Sequence, residues 1–592
     1  MATRSTLGLT TRWGRALDPD RVLQEHPRPQ LVRDSCVNLN GWWEHAFTGL
    51  DAGEPTSYDG PILVPFSPEA PLSGVRRQLM PDELLWYRRT FERPDAAVDG
   101  TRALLHFGAV DQSCTVWVNG HEVGRNHGGY LPFSCDVTGA LQDGSNTLVL
   151  RVRDVSDNQG PSSGKQRLDR GGIWYTAQSG IWQTVWVEVV PEQHVQGLVL
   201  TPLLEEQAVE VTVHADAPGQ AEVVVLSSGA RVATATVPVG QPSAVHLPDV
   251  RPWTPEDPYL YDVEVRLGND VVRSYVGMRS FGIGTDRAGV PRLLLNGRPY
   301  VQAGVLDQGY WPDGLLTPPS DEALVHDIET MKRLGFTMLR KHIKIEPLRW
   351  YYHCDRLGML VWQDMVNGGE GTHRVAMSPP GRGRHRRLHV RDQRYRLFGR
   401  TDADGRREFR DELRRTVELL RSVTSLAVWV PFNEGWGQFD ANDIATELRA
   451  LDPTRSIDHA SGWWDQGGGD LISLHVYKNA FVPPERGEGD ERVLGLTEYG
   501  GYKLVVDGHT WGDEHFGYRS YDTPDELAEA FTRLHHDELA PAVGLGLSAT
   551  VYTQLSDVED ELNGLLTYDR EVLKVPEEVV RDALSGLRLH TQ

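Results

Sequence analysis

Cysteine is scarce in this chain, with four among 592 residues (Cys36, Cys114, Cys135 and Cys354) and no CxxC pair. That spacing excludes a zinc ribbon and a disulfide-stapled scaffold. The four read as free thiols, with a Cys114–Cys135 pairing left open if the two face each other across a sheet. Long hydrophobic runs are lacking as well. Nowhere do about 18 apolar residues follow one another, so no segment reads as a membrane-spanning helix. The first residues, MATRSTLGLTTRWGRALDPDR, contain no uninterrupted apolar stretch of the secretory kind, which makes the cytoplasm the expected location. Basic charge is outweighed, 60 Lys and Arg against 83 Asp and Glu, for a formal net charge of −23. Such a surface disfavours nucleic acids and anionic membranes as partners.

What is present is length and texture. A chain of 592 residues exceeds what one hydrophobic core organises, and implies several domains. Residues 1–193 carry short period-2 stretches such as RALLHF (102–107), CTVWVNG (114–120) and NTLVLRVRD (146–154), separated by Gly, Asp and Asn. That is the pattern of an antiparallel β-sandwich. Residues 194–283 continue with VEVTVHA, AEVVVLSSG and YDVEVRLG, on the scale of a small immunoglobulin-like sandwich. From 284 to 592 the pattern changes to apolar runs alternating with helical-period segments, the β-α-β-α signature of a parallel sheet.

Counting units in that last region gives candidate strands at 300–306, 337–342, 359–365, 426–434, 456–461, 471–477, 493–500 and 549–554. Helical segments fall at 321–335, 346–358, 407–423, 441–451, 524–540 and 576–587. About eight strands with interleaved helices predict a (β/α)8 TIM barrel. The fifth and sixth crossovers lack clear helices, which keeps a doubly wound open sheet as the alternative.

Barrels place their chemistry at the C-terminal ends of strands. There the apolar run Val428–Phe432 stops at Asn433-Glu434, and the run Val493–Leu496 stops at Thr497-Glu498-Tyr499. Strands four and seven lie across the ring from each other, so the two carboxylates face one another over the mouth. A pair of carboxylates flanking a bond is the requirement of glycoside hydrolysis, one to protonate the leaving oxygen and one to attack carbon or activate water. The plainer reading makes both glutamates surface loop residues.

These motifs resemble glycoside hydrolase family 2, the group of β-galactosidases, β-glucuronidases and β-mannosidases. LNGWW (39–43), VPFSPEAPLSGV (64–75), WYRRTF (86–91), VWVNGHEVG (116–124) and SGIWQTVWVE (179–188) resemble that family's jelly-roll sugar-binding domain. The resemblance implies the order jelly roll, immunoglobulin-like domain and barrel. It also implies Glu434 as general acid/base, Glu498 as nucleophile of a retaining mechanism and Asn433 as a partner of the sugar 2-hydroxyl. Tyr477 matches the family's tyrosine beside the nucleophile and His342 its sugar-binding histidine, while His475 stands where relatives often carry asparagine.

Asp307, Gln308, Asp364, Gln554 and Asp557 are further polar groups expected at the same face. Trp436, Trp463 and Trp464 are candidates to stack on a sugar. The segment WQDMVNGGEGTH (362–373) does not match the acidic motif of metal-dependent relatives, so no metal and no cofactor are expected. Asn563-Gly564-Leu565 replaces the Asn-x-Lys motif of the family's β-glucuronidases, which makes a uronic acid a weaker candidate. The basic stretch GRGRHRRLHVRDQRYRLFGR (381–400) either receives an anionic or extended aglycone or is a solvated loop.

The expected function is a retaining exo-β-glycosidase on short β-glycosides, with β-galactosides foremost. A β-galactofuranoside, a β-glucuronide or an arabinoside is the alternative glycone, and a catalytically silent carbohydrate-binding protein is the alternative class. A homo-oligomer is left open.

Overall fold

The computed structural model describes residues 8–156, 162–370, 390–485, 487 and 489–589. Two antiparallel sheets form the first unit. One has six strands in the order Gly60–Val64, Gly41–Gly49, Glu83–Glu92, Ser145–Arg153, Ser113–Val118 and His121–His127. The other has four, in the order Cys36–Asn38, Val185–Pro191, Thr101–Phe107 and Phe133–Asp136. Their facing sides bury Trp43, Leu85, Leu105, Phe107, Val116, Leu150 and Val187 in one apolar cluster. Each fully buried side chain of this size contributes about 1.5–3 kcal/mol. All four cysteines are free, Cys114 and Cys135 among the buried ones. A three-stranded and a four-stranded sheet follow between Gly197 and Val276, packed through Val211, Val223, Val263 and their neighbours.

The last unit is a barrel of eight parallel strands: Gln302–Asp307, Met338–Lys341, Leu360–Asp364, Leu426–Val430, Ser456–Ile457, Leu471–Val476, Val493–Gly500 and Leu547–Thr553. Their order is 5-4-3-2-1-8-7-6, so neighbours in sequence are neighbours in space and the first strand pairs with the eighth. A doubly wound sheet would reverse direction at a switch point, and none occurs. Strands five and six meet without a paired ladder, and no helix lies in the described residues that join strand five to six or six to seven. Beneath the strands, Leu293 and Trp253 join Leu306, Met338, Leu360, Val428 and Val551 in a cluster that fills the floor.

Helix ends follow capping chemistry. Asp402 accepts from the backbone of Asp404 and Gly405, so the helix expected to begin at 407 begins earlier and spans Ala403–Leu420. Ser320 caps Asp321–Arg333 in the same way. No helix among the described residues is long and apolar enough to cross a membrane. The sandwich leans on the barrel mouth through segment 162–180. Gly164 N donates to Asn367 O at 2.9 Å, Thr176 N to Glu559 at 3.0 Å, and Tyr175 Oη to Glu561 at 2.5 Å.

Candidate active site

Strand four ends at Val430, four residues before Glu434, which the sequence placed at the strand's end. The chain reaches Glu434 through a turn that locks onto strand five's continuation. Ser461 N donates to Phe432 O at 2.9 Å, and Glu434 N to Ser461 O at 2.8 Å. Glu434 has φ of +52°. A non-glycine residue held there costs of order 1 kcal/mol or more, and such strain persists only where the surroundings over-determine it. Gly435 continues the turn at φ +75°, and a β-carbon on it would collide with the Trp464 ring packed beneath. The apolar run into Asn433-Glu434 is thus a buried strand followed by a clamped turn that presents a carboxylate.

Glu498 lies inside strand seven, which is buried at every position from Val493 to Gly500. The register against strand eight slips between Leu496 and Tyr499, a bulge that re-aims the side chains at 497 and 498. One carboxyl oxygen of Glu434, one of Glu498 and a ring nitrogen of His475 lie within 4.8 Å of one another.

His475 sits between the two acids. Its Nδ1 is 2.8 Å from Glu434 Oε1 and 3.7 Å from Glu498 Oε2, and its Nε2 is 3.0 Å from Ser461 Oγ. Ser461 Oγ donates to Thr497 Oγ1 at 2.9 Å, so it accepts from His475 Nε2. With Nε2 carrying a hydrogen, the contact between His475 Nδ1 and Glu434 needs one shared proton. An acid that must first give up a proton and later recover it has that proton at hand.

Glu498 is held by cations and a phenol. Burial pushes its carboxyl up, but the charges of His475 and Arg340 and the Tyr477 hydroxyl hold it below the usual carboxylate range. Tyr477 Oη donates to Glu498 Oε2, and its ring stacks on Tyr518 at 3.7 Å. Arg340, fully buried, donates to Glu498 Oε1 at 3.2 Å, to Asn433 Oδ1 at 2.9 Å and to both oxygens of Asp364 at 2.9 and 3.0 Å. His342 Nδ1 lies 2.7 Å from Asp364 Oδ2, and burial together with the Lys165 charge drives its pKa well below the ordinary value. The ring is therefore neutral with its hydrogen on Nδ1, which leaves Nε2 as an acceptor.

Of the residues singled out in the sequence, Asn433, His342, Tyr477, His475 and Asp364 gather with the two glutamates. Asp364 does so as the group that orients Arg340 and His342. Asp307 goes elsewhere: its carboxylate is 2.7 Å from Lys341 Nζ, which also meets Glu346 at 2.8 Å, a buried ion network behind strand two. Gln554 accepts from Gln308 at 2.8 Å, and its own amide nitrogen is buried without a partner. Asp557 pairs with Lys574 at 2.6 Å.

The tryptophans divide. Trp464 is buried against Phe398 under Gly435, and Trp436 is buried edge-on to Trp174 at 5.0 Å. Only Trp463 keeps part of its surface, 6.1 Å from His475. Residues 381–389 of the basic stretch lie outside the described residues, as do 371–373 of the segment read for metal ligands. The remainder, 390–400, packs on the Glu434 turn, with Gly437 N donating to Phe398 O at 3.1 Å and Arg400 Nε to Gly437 O at 3.0 Å.

The sequence reading missed Arg340, Ser461 and Tyr518, and the wall supplied by the sandwich. Arg340-Lys341 inside an otherwise apolar strand was a signal, because a charge there needs a buried partner. Trp174, with Lys165 5.7 Å and Arg167 4.3 Å from its ring, offered none, since nothing local ties residue 174 to residue 436. Glu434, His475 and Glu498 form the one cluster of potential metal ligands among the described residues. An ion there would occupy the lone pairs of both carboxylates.

Comparison with known proteins bears on this geometry. Residues 32–190 match the sugar binding domain of glycosyl hydrolases family 2, 193–279 match the family's second domain and 292–485 its TIM barrel domain. Together they span most of the chain. A β-galactosidase of Photobacterium profundum is 24% identical over 426 residues, 67% of this chain and 38% of that protein. A putative β-glucuronidase of Formosa agariphila is 26% identical over 401 residues, 64% of this chain and 34% of that protein. The match thus spans well under half the length of either relative. The solved β-D-glucuronidase of Dictyoglomus thermophilum superposes with a TM-score of 0.72 at 16% identity, covering 94% of this chain and 98% of that one. At that identity the likeness speaks for the fold.

Proposed function

Because the chain belongs to glycoside hydrolase family 2, we propose that it is a retaining exo-β-glycosidase that removes a terminal β-galactosyl residue from short glycosides. The observation that carries the mechanism is the approach of the two carboxyl groups, with oxygens within 4.8 Å of each other. Retaining sites hold their carboxyls about 5–5.5 Å apart, whereas inverting sites leave about 6.5–9.5 Å for a water. In the first step Glu498 attacks the anomeric carbon while Glu434 gives its proton to the leaving oxygen. The glycosyl-ester forms and the alcohol departs. In the second, Glu434 takes a proton from water, whose oxygen displaces Glu498 and restores the β-configuration. Arg340 ties Glu498 to Asn433, so nucleophile and 2-hydroxyl partner are positioned by one guanidinium. Trp463 is the surface left for stacking on the sugar.

Support for a terminal glycone comes from the walls. The sandwich segment carrying Trp174 and Tyr175 and the segment Phe516–Tyr518 rise beside the mouth, which suits a pocket for a chain end. The wall at 557–561 pairs carboxylates with cations, Asp557 with Lys574 at 2.6 Å and Asp560 with Arg170 at 2.9 Å. Glu561 is buried with its carboxyl raised, first by burial, and Glu559 is pushed up to about 7. Asn563-Gly564-Leu565 stands where the family's β-glucuronidases carry Asn-x-Lys, which supports a neutral glycone. Among the relatives, some are named β-galactosidases and others putative β-glucuronidases.

A panel of 4-nitrophenyl β-glycosides tests the reading. The β-galactoside is expected to turn over fastest, with the β-anomer appearing first by proton NMR. A faster β-glucuronide would replace the glycone, and sugar binding without turnover of any member would leave a lectin-like protein.

Tyr477→Phe probes the nucleophile's electrostatics. Removing a donor to the ionised form moves the carboxyl's pKa upward, so the acid limb of kcat/KM should shift to higher pH. The maximal rate should fall about 10- to 100-fold, the worth of a hydrogen bond to a charged group. An acid limb that stays in place would remove Tyr477 from that role.

A further inference from the structure

Segment 162–180, by which the sandwich leans on the barrel mouth, alternates in what its side chains meet. Gln166 points back into the sandwich, where its amide donates to Asp111 Oδ2 and to Tyr130 Oη at 2.8 Å each. In extended chain the flanking residues take the opposite side. Lys165 and Arg167 accordingly both stand against Trp174 at the mouth. The backbone at Lys165 is held from two directions. Lys165 O accepts from Tyr175 N at 3.0 Å, and Tyr175 is tied to Glu561 beyond strand eight. Gly164 N donates to Asn367 O at 2.9 Å, and a β-carbon on Gly164 would lie 3.2 Å from Ile343 O. Lys165 and His342 are thus each one residue from a contact between the two backbones.

Lys165 is half-buried, and its ammonium has neither a hydrogen bond nor a carboxylate within 4 Å among the described residues. Neighbouring cations are engaged: Arg170 with Asp560 at 2.9 Å, Lys341 with Asp307 at 2.7 Å, Arg340 with Asp364 at 2.9 Å. Glu561 is engaged too, accepting from Tyr175 Oη at 2.5 Å and from Asn563 Nδ2 at 3.0 Å. After burial, the Lys165 charge is what most disfavours a proton on His342, and the same charge lowers the Glu561 carboxyl against the rise that burial brings. Lys165 Nζ and His342 Nε2 both keep contact with solvent and hydrogen-bond no described residue.

An ammonium offers three donors and no acceptor, whereas neutral His342, with its hydrogen on Nδ1, offers one acceptor at Nε2. The group that satisfies both is a hydroxyl, which accepts from one and donates to the other. A carboxylate could meet the ammonium but has no hydrogen to give Nε2. We propose that Lys165 is a specificity-determining residue of the glycone site, donating from the sandwich to one ring hydroxyl of the terminal sugar while that hydroxyl donates to His342 Nε2. The proposal rests on the glycosidase reading above. It assigns to the sandwich a direct part in reading the sugar. A site built to bond a hydroxyl discriminates strongly against the analogue that lacks it, because its own polar groups are then left unpaired.

The test uses the aryl glycoside that the wild-type protein turns over fastest, together with its deoxy analogues, each lacking one hydroxyl other than the 2-hydroxyl assigned to Asn433. Lys165→Met, at unchanged circular dichroism, should lower kcat/KM for the parent about 10- to 100-fold, the worth of a hydrogen bond to a charged group. On the one analogue that lacks the hydroxyl read by Lys165, the same substitution should cost less than about threefold, since there the bond is already missing. A merely structural role would lower every member alike. A second measurement needs no variant: in a crystal of the wild-type protein trapped as its 2-deoxy-2-fluoro glycosyl-ester, one sugar oxygen should lie within about 3.2 Å of both Lys165 Nζ and His342 Nε2. Equal losses across the series, an unaltered parent rate, or a trapped ester with no such shared oxygen would overturn the proposal and leave the hydrolase standing. No wild-type turnover of any glycoside would remove the reading beneath it, and the proposal with it.

Discussion

Glu498→Ala should abolish hydrolysis, with turnover of 4-nitrophenyl β-galactoside falling on the order of 10⁶-fold, the scale on which a hydrolase drops when its covalent nucleophile is removed. The reason is that no other carboxylate stands where Glu498 stands. Glu434 is committed to His475 at 2.8 Å, and Asp364 is spent on Arg340 and His342. The shortened side chain leaves space on the face opposite the leaving group, so azide should enter there and yield an α-galactosyl azide. In the intact protein, a 2-deoxy-2-fluoro galactoside should leave a stable ester on Glu498, read by peptide mass spectrometry. A label on any other residue, or a variant that keeps more than a few per cent of its activity, would be incompatible with the assignment.

Glu434→Ala should separate two kinds of substrate. Alcohols that need a proton to leave should be released about 10²–10⁴-fold more slowly, the usual contribution of general acid catalysis. Activated nitrophenolates should still depart in the first step. The glycosyl-ester then waits for a base, so a burst of nitrophenol should precede slow turnover. Azide needs no base and should raise the steady rate, giving a β-galactosyl azide, the opposite anomer from the Glu498 variant. The two products together assign the roles, because each records which face of the sugar lost its carboxylate. If the rate on poor leaving groups is unchanged and azide does nothing, Glu434 is an ordinary turn residue. His475→Asn would be a milder companion, since it removes the shared proton while leaving Glu434 in place.

Much of this was legible in the amino-acid order. Period-2 stretches in the first half and β-α alternation in the second are local patterns, and local patterns survive folding because each side chain's face is set by its own backbone. The segments 321–335, 346–358 and 441–451 became helices for that reason. Glu434 and Glu498 stood out because a carboxylate at the end of an apolar run is costly unless the fold has a use for it.

What the order of residues left open concerns meetings across the ring. Asp307 and Asp364 end strands one and three in the same manner, yet Asp307 turns to Lys341 and Asp364 to Arg340 and His342. Trp463 and Trp464 are adjacent, yet one keeps exposed surface beside His475 and the other lies under Gly435. His475 comes between the two acids only because strand six abuts strand seven and the chain after strand five brings Ser461 to both. Trp174 reaches Trp436 across 262 positions of chain because the sandwich docks on the barrel mouth. Spacing along a chain determines which face a residue shows, and closure of the barrel and docking of the domains decide what that face meets.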